Sequence, residues 1–155
     1  MMKWLWLSIL VLILDQLSKI WIDSNMSLYQ SIPMFPGFSI TYAHNYGAAF
    51  SFLSDAGGWQ RWFFAVLAGS ISIGIIVWIK RLKSEEILSA ISLSLILGGA
   101  IGNLIDRVVY GYVIDFLDVY YQAWHWPVFN IADSAITVGV AFMFYESFTN
   151  KELEN

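Results

Sequence analysis

Asp115 and Asp133 are the residues of this sequence whose presence most needs a chemical reason. One lies just beyond a long apolar segment and the other just inside the next. An ionised carboxylate at mid-membrane costs about 2.5 to 3.5 kcal/mol on insertion scales, so acids kept near lipid face a protein cavity and mark function. Neither Asp has a Lys or Arg within four residues, which argues against a local ion pair. Paired carboxylates offer another reason. Two acids about 3 Å apart cannot both ionise, so the pair holds a single proton at working pH. The ionised member can then take a proton from water while the protonated one polarises a peptide carbonyl. Such hydrolysis needs no covalent intermediate, metal or cofactor.

Other polar residues gather at the same ends of the apolar segments. Asp15 and Lys19 stand at i and i+4 and share a helix face, where they can pair. Asn103 with Asp106, and Asn130 with Asp133, are i, i+3 pairs in which the Asn precedes the acid, and Arg107 follows Asp106. The two Asn can hold carboxylates or substrate amides in place. The plainer alternatives are structural. Asp15 with Lys19, and Asp106 with Arg107, can be intramembrane ion pairs that join helices; Asp118 reads as a solvated loop acid; Asn45 serves a turn; and Gly98 to Gly102 forms a small-residue packing face. His44 and His125 read as hydrogen-bonded or interfacial residues, since neither has a partner at metal-ligand spacing.

The elements that must position these groups follow from composition. Of 155 residues, 58% are hydrophobic and 13% charged, and the mean hydropathy is +0.62, as in polytopic membrane proteins. We expect one membrane-embedded domain over residues 1–155. There is no Cys, which excludes disulfides and thiolate chemistry, and a net charge of −4 leaves no basic footprint for nucleic acid. Four segments approach the roughly 20 residues a span requires: Trp4 to Ile22, Trp62 to Ile79, Ile87 to Ile105 and Val128 to Phe148. The first reads as a retained anchor, because it carries Asp15 and Lys19 and lacks a small-residue cleavage site. Lys3, Lys80, Arg81, Lys83 and Lys151 outnumber Lys19, Arg61 and Arg107 on the opposite side, which places both termini in the cytoplasm.

Two longer connections then lie outside. In Asp23 to Arg61, the alternation over Phe38 to Tyr42 predicts a strand in a small extracytoplasmic β element lying on the membrane surface. The rest of that connection, through Asn45, Gly47 and the Gly57-Gly58 pair, is expected to act as a mobile flap over the two acids, with Asn45 and Gly47 touching substrate. The second, Arg107 to Pro127, carries Val113 to Asp118 and is too short for another span; Pro127 suits a helix start. The acids should face each other across an outward-facing pocket bounded by the first, third and fourth helices.

Five blocks in order carry a resemblance: Asp15-Gln-Leu-Ser-Lys19; Asn45-Tyr-Gly-Ala-Ala-Phe50; Gly99-Ala-Ile-Gly-Asn103-Leu-Ile-Asp106-Arg107; Val113-Ile-Asp115-Phe116; and Phe129-Asn130-Ile-Ala-Asp133. Together they resemble lipoprotein signal peptidase, or signal peptidase II, the membrane aspartic protease family of bacteria. The resemblance implies an aspartic endopeptidase that removes signal peptides from prolipoproteins bearing a diacylglyceryl-modified Cys, cutting just before that Cys. It implies a catalytic dyad of Asp115 and Asp133, with Asp15, Lys19, Asn45, Gly47, Asn103, Asp106, Arg107 and Asn130 in supporting and substrate-contacting positions. It also implies a multi-pass enzyme of the cytoplasmic (inner) membrane with its site at the periplasmic face, in contact with membrane lipid and bound by globomycin-type inhibitors. A proton-coupled transporter or channel subunit is the alternative; it predicts acids spread through the membrane thickness and internal repeats.

Overall fold

A computed structural model describes residues 1–47 and 57–153, with side chains to 149. Four helices are long and apolar enough to cross a membrane. They are α1 (Leu5–Asn25), α2 (Gln60–Arg81), α3 (Ile87–Val109) and α4 (Ile131–Leu153). A small antiparallel sheet joins them in the order β1-β2-β3-β4, from β1 (Ser31–Phe35), β2 (Phe38–Asn45), β3 (Val113–Tyr121) and β4 (Trp124–His125).

Helix α3 is the axis of the bundle and packs against all three others, whereas α2 packs mainly on α3. Small residues allow this. A Cβ on Gly98 would come within 2.8 Å of the Ser8 carbonyl oxygen in α1, and one on Gly99 within 2.4 Å of the Ala132 carbonyl oxygen in α4. On α4, Gly139 meets Ser92 and Ile96 equally closely. Helices in lipid associate through close van der Waals fit, because apolar burial offers them no advantage over lipid tails. Large side chains therefore turn outward: Leu17, Trp21, Val66, Ile73 and Phe144 are exposed on the bundle surface. Apolar packing concentrates in two places, Ile75, Ile79, Leu93 and Leu97 between α2 and α3, and Ile22, Met26, Tyr42, Ile114 and Phe116 where α1 meets the sheet.

The expected strand runs further than its alternation suggested, to Asn45, and it gains partners on both sides. Strand β1 is fully exposed and carries Pro33, which an edge strand tolerates because a missing N–H costs it no inner ladder bond. Strand β3 is central, with Ala43 opposite Asp115. The fourth helix begins later than expected. Phe129 is bridged to Leu117 of β3 and donates and accepts backbone hydrogen bonds there, so the chain stays extended past Pro127 and turns helical at Ile131. Helices α1 and α3 run past the predicted Ile22 and Ile105, which puts Asp106 and Arg107 on the last turn of α3. The flap reading falls largely on residues 48–56, outside the described residues.

Candidate active site

Asp115 is held by β3 at 3% exposure, and two side-chain amides address its carboxylate. Asn45, at the end of β2, donates to Oδ2 at 3.1 Å, and Asn130 donates to Oδ1 at 2.7 Å. Burial is the main cause that raises this carboxyl to about 7, with the nearby Asp133 charge second; the two Asn hydrogen bonds and Lys19 act in opposition.

Asp133 stands in the first turn of α4, and the same Asn130 prepares its place. Asn130 sits just before the helix, and its Oδ1 accepts the Asp133 N–H at 2.9 Å, an N-cap in which the side chain satisfies an orphan donor. The expected i, i+3 relation on one helix face is thus a cap. Asn103 of α3 donates from Nδ2 to Asp133 Oδ1 at 2.8 Å, while its own Oδ1 accepts Asn130 at 3.2 Å and Lys19 Nζ at 3.0 Å. A continuous amide bridge therefore connects the acids: Asp115, Asn130, Asn103, Asp133.

Behind the bridge lies a buried charge cluster. Lys19, 1% exposed, contacts Asp15 Oδ2 at 2.8 Å and Asp106 Oδ2 at 2.9 Å, both fully buried. Asp15 pairs with Lys19 as its spacing predicted. Asp106 does not pair with Arg107: consecutive helical residues point about 100° apart, and Lys19 of α1 takes the carboxylate across the interface. Gln16 closes the cluster, donating to Asp106 Oδ1 at 2.9 Å and Asp15 Oδ2 at 3.2 Å. Each carboxylate also accepts a backbone N–H, Asp15 Oδ1 from Ala132 at 2.9 Å and Asp106 Oδ2 from Ile114 at 3.1 Å.

Arg107 turns the other way. It donates to the carbonyl oxygens of Gly47 at 2.9 Å and Asn103 at 3.2 Å, with its guanidinium over the Phe64 ring. The Gly47 N–H donates to Asn45 Oδ1 at 3.0 Å, and Gly47 is buried. All ten expected site residues thus belong to one hydrogen-bonded network.

Sequence reasoning missed two contributors. Gln16 lies one step off the Asp15–Lys19 face and carried no charge to mark it. Arg61, in the sequence only one cation in the topological count, donates to the last-turn carbonyls of Arg107 and Val108, both at 2.7 Å, and so caps α3. Asp118 is a correction: it is 4% exposed in β3 and accepts from Thr41 at 2.9 Å, with His125 Nδ1 at 2.8 Å, because β2 and β4 fold polar partners over it. His44 hydrogen-bonds the Tyr42 hydroxyl at 2.8 Å and stacks on Tyr112. The Tyr42 hydroxyl also donates to Asp23.

A cavity of about 770 Å3 opens beside the network. Asn45, Asn103, Arg107 and Asp133 form its polar end; Phe64, Leu67 and Ile71 of α2 and Ile136 and Val138 of α4 continue it down the bundle as an apolar wall. Its walls are α2, α3 and α4, so the expected α1 boundary is replaced by α2; α1 stands behind, supplying Asp15 and Lys19. The arrangement suits a ligand with one polar segment and one or more long apolar ones.

The model of a family described as signal peptidase (SPase) II matches residues 7–149. A lipoprotein signal peptidase of Alteromonas mediterranea is 53% identical over 149 residues, covering 96% of this chain and 82% of that protein. One of Pseudomonas aeruginosa is 51% identical over 153 residues, covering 97% and 90%. A solved bacterial membrane enzyme superposes with a TM-score of 0.90 at 29% identity, covering 100% of this chain and 93% of that one. A second gives 0.81 at 31%, covering 94% and 92%.

Proposed function

This chain belongs to the signal peptidase II family, and from that premise we propose that Asp115 and Asp133 are the catalytic pair with which it cleaves its substrates. The chain is a multi-pass membrane protease that removes signal peptides from prolipoproteins. The observation that carries the assignment is the amide bridge: two carboxylates from different elements converge on the Asn130–Asn103 pair, and one of them is raised to about 7. Near neutral pH such a pair holds one proton.

Water between the acids gives a proton to the ionised carboxylate as its oxygen attacks the scissile carbonyl carbon. The protonated carboxyl donates to the carbonyl oxygen. Collapse of the tetrahedral species breaks the C–N bond, and the amine leaves with the proton that water gave up. Asn103 and Asn130 hold both carboxylates at fixed angles throughout, and Asn45, Gly47 and Arg107 line the approach of the substrate backbone.

The finer reading is that the substrate carries a diacylglyceryl-modified Cys and is cut just before it. The cavity supports this, because its apolar wall continues from Asp133 into the bundle where acyl chains and bilayer lipid can lie. We place the whole chain, as one peptidase unit, in the bacterial cytoplasmic membrane with both termini inside and the acids at the periplasmic face, on the five-to-three distribution of Lys and Arg. A globomycin-type cyclic peptide should occupy the same cavity. The test is cleavage of a diacylglyceryl-modified prolipoprotein by the enzyme in lipid vesicles. Asp133→Asn should retain folding and lose activity by at least about 100-fold, the low end for a general acid–base group. Cleavage at near-native rate would remove the dyad.

A further inference from the structure

The buried cluster of Asp15, Lys19 and Asp106 touches neither acid of the pair, yet each of its carboxylates binds the backbone one residue before one of them. Asp15 takes the N–H of Ala132, next to Asp133, and Asp106 takes the N–H of Ile114, next to Asp115. One ammonium, Lys19 Nζ, holds both carboxylates, at 2.8 and 2.9 Å, and Gln16 spans them a second time. The path Asp133, Ala132, Asp15, Lys19, Asp106, Ile114, Asp115 is therefore continuous. The Asn130–Asn103 bridge joins the same two acids by a shorter path, and the two paths together close a ring.

We propose that the Asp15–Lys19–Asp106 cluster is a spacer that sets the separation of Asp115 and Asp133, its members acting as positioning residues; this rests on the dyad reading above. The packing around the cluster is consistent with a tight fit. A Cβ on Gly102 would lie 2.5 Å from Asp15 Oδ2 and 3.5 Å from the Ala132 Cβ, so α3 carries no side chain where α1 reaches across to α4. The amide bridge alone is a poor ruler. Asn130 Nδ2 is shared among Asn103 Oδ1, the Ile114 carbonyl and Asp115 Oδ1, and Asn side chains rotate. The ion cluster ties backbone to backbone. Its three charged members are at most 1% exposed, so bulk water does not screen it.

Spacing has a signature that stability and simple electrostatics lack. The two limbs of the bell-shaped pH–rate profile belong to the coupled pair, and their splitting falls as the acids separate, by about half a pH unit per Å when one Å is added at 4 Å in a medium of effective dielectric 20. Asp106→Asn retains one oxygen for the Ile114 N–H and the Lys19 ammonium but gives up the charge that binds the ammonium tightly, and it turns an N–H onto the Gln16 amide that now donates to Oδ1. The expected result is a kcat about 10- to 100-fold lower, as for an ångström-scale misplacement, KM within about three-fold, and limbs that converge. If both limbs move in the same direction with their splitting unchanged, the cluster acts only through its charge. If the yield of folded enzyme falls while the survivors keep the native profile, it acts only on stability. Either result overturns the proposal. Should Asp106→Asn fail to accumulate, Gln16→Leu removes the second strap while leaving every charge in place; converging limbs support the spacer and native limbs overturn it. Retained cleavage by Asp115→Asn and Asp133→Asn would sink the dyad reading instead, and so is told apart.

Discussion

Replacing Asp115 by Asn should abolish cleavage and, above neutral pH, stabilise the fold. The carboxyl is raised from its ordinary 3.8 to about 7, chiefly by burial and then by Asp133. That displacement corresponds to ~4 kcal/mol against the ionised form in the folded protein. Below pH 3.8 the carboxyl is neutral folded and unfolded, and nothing is lost. Between 3.8 and about 7 it ionises in the unfolded chain but not in the folded one, so native stability falls by about 1.4 kcal/mol per pH unit and levels off above 7. An Asn has no such dependence. It carries a cost of its own: Asn45 and Asn130 both donate to Asp115, and an amide offers one oxygen where the carboxylate offers two, so one donor is stranded at about 1 to 3 kcal/mol. The variant should therefore be less stable than the native enzyme at pH 4 and more stable at pH 8, by about 1 to 3 kcal/mol. Thermal unfolding in detergent across that range gives the measurement. Parallel curves, or a native enzyme still ahead at pH 8, would refute the reasoning.

Gly99→Ala puts a Cβ 2.4 Å from the Ala132 carbonyl oxygen, a backbone atom that cannot swing aside, so α4 must move. It should cost about 1 to 3 kcal/mol and lower activity with it, and a melting temperature equal to the native one would count against the tight α3–α4 contact. Lys19→Ala leaves Asp15 and Asp106 facing each other in a buried site without their shared cation. A loss of about 3 to 5 kcal/mol follows, visible as a fall in folded protein recovered from the membrane; normal recovery would argue that the cluster contributes nothing to the fold.

What could be read from the sequence was whatever is local or lacks a local explanation. Asp115 and Asp133 stood out because a carboxylate in an apolar context without a neighbouring cation has few structural reasons to exist. Asp15 and Lys19 were legible because one helical turn brings them together. Asp106 misled for the same reason, since the adjacent Arg107 was the nearest cation along the chain while Lys19, on another helix, was the nearest in space. Strand β2 showed its alternation, but β1 is exposed on every residue and has no period to show. Strand β3 is buried on nearly every residue of its first half for lack of an open face, which hides its period equally well. Asp118 could not be placed without knowing that Thr41 and His125 would close over it. The late start of α4 depends on the Phe129–Leu117 bridge, a contact between segments that sequence spacing leaves unpaired.

All three cations at the Asp115–Asp133 end of the bundle are engaged within the protein: Lys19 with Asp15 and Asp106, Arg61 with the end of α3, Arg107 with Gly47 and Asn103. Residues 20–60, which include the first two strands, contain no Lys or Arg. That end consequently presents little positive charge to phosphate headgroups, and its depth in the bilayer is set by rings such as Trp21, Trp59 and Trp124. The opposite end carries Lys80, Arg81 and Lys83 close together, partly offset by Glu85 and Glu86, and its excess of positive charge is drawn to anionic lipid by roughly 1 kcal/mol per net charge. Electrostatic mooring is thus concentrated at one end, and a change in lipid headgroup charge can alter how strongly the protein is held without displacing Asp115 and Asp133 in depth.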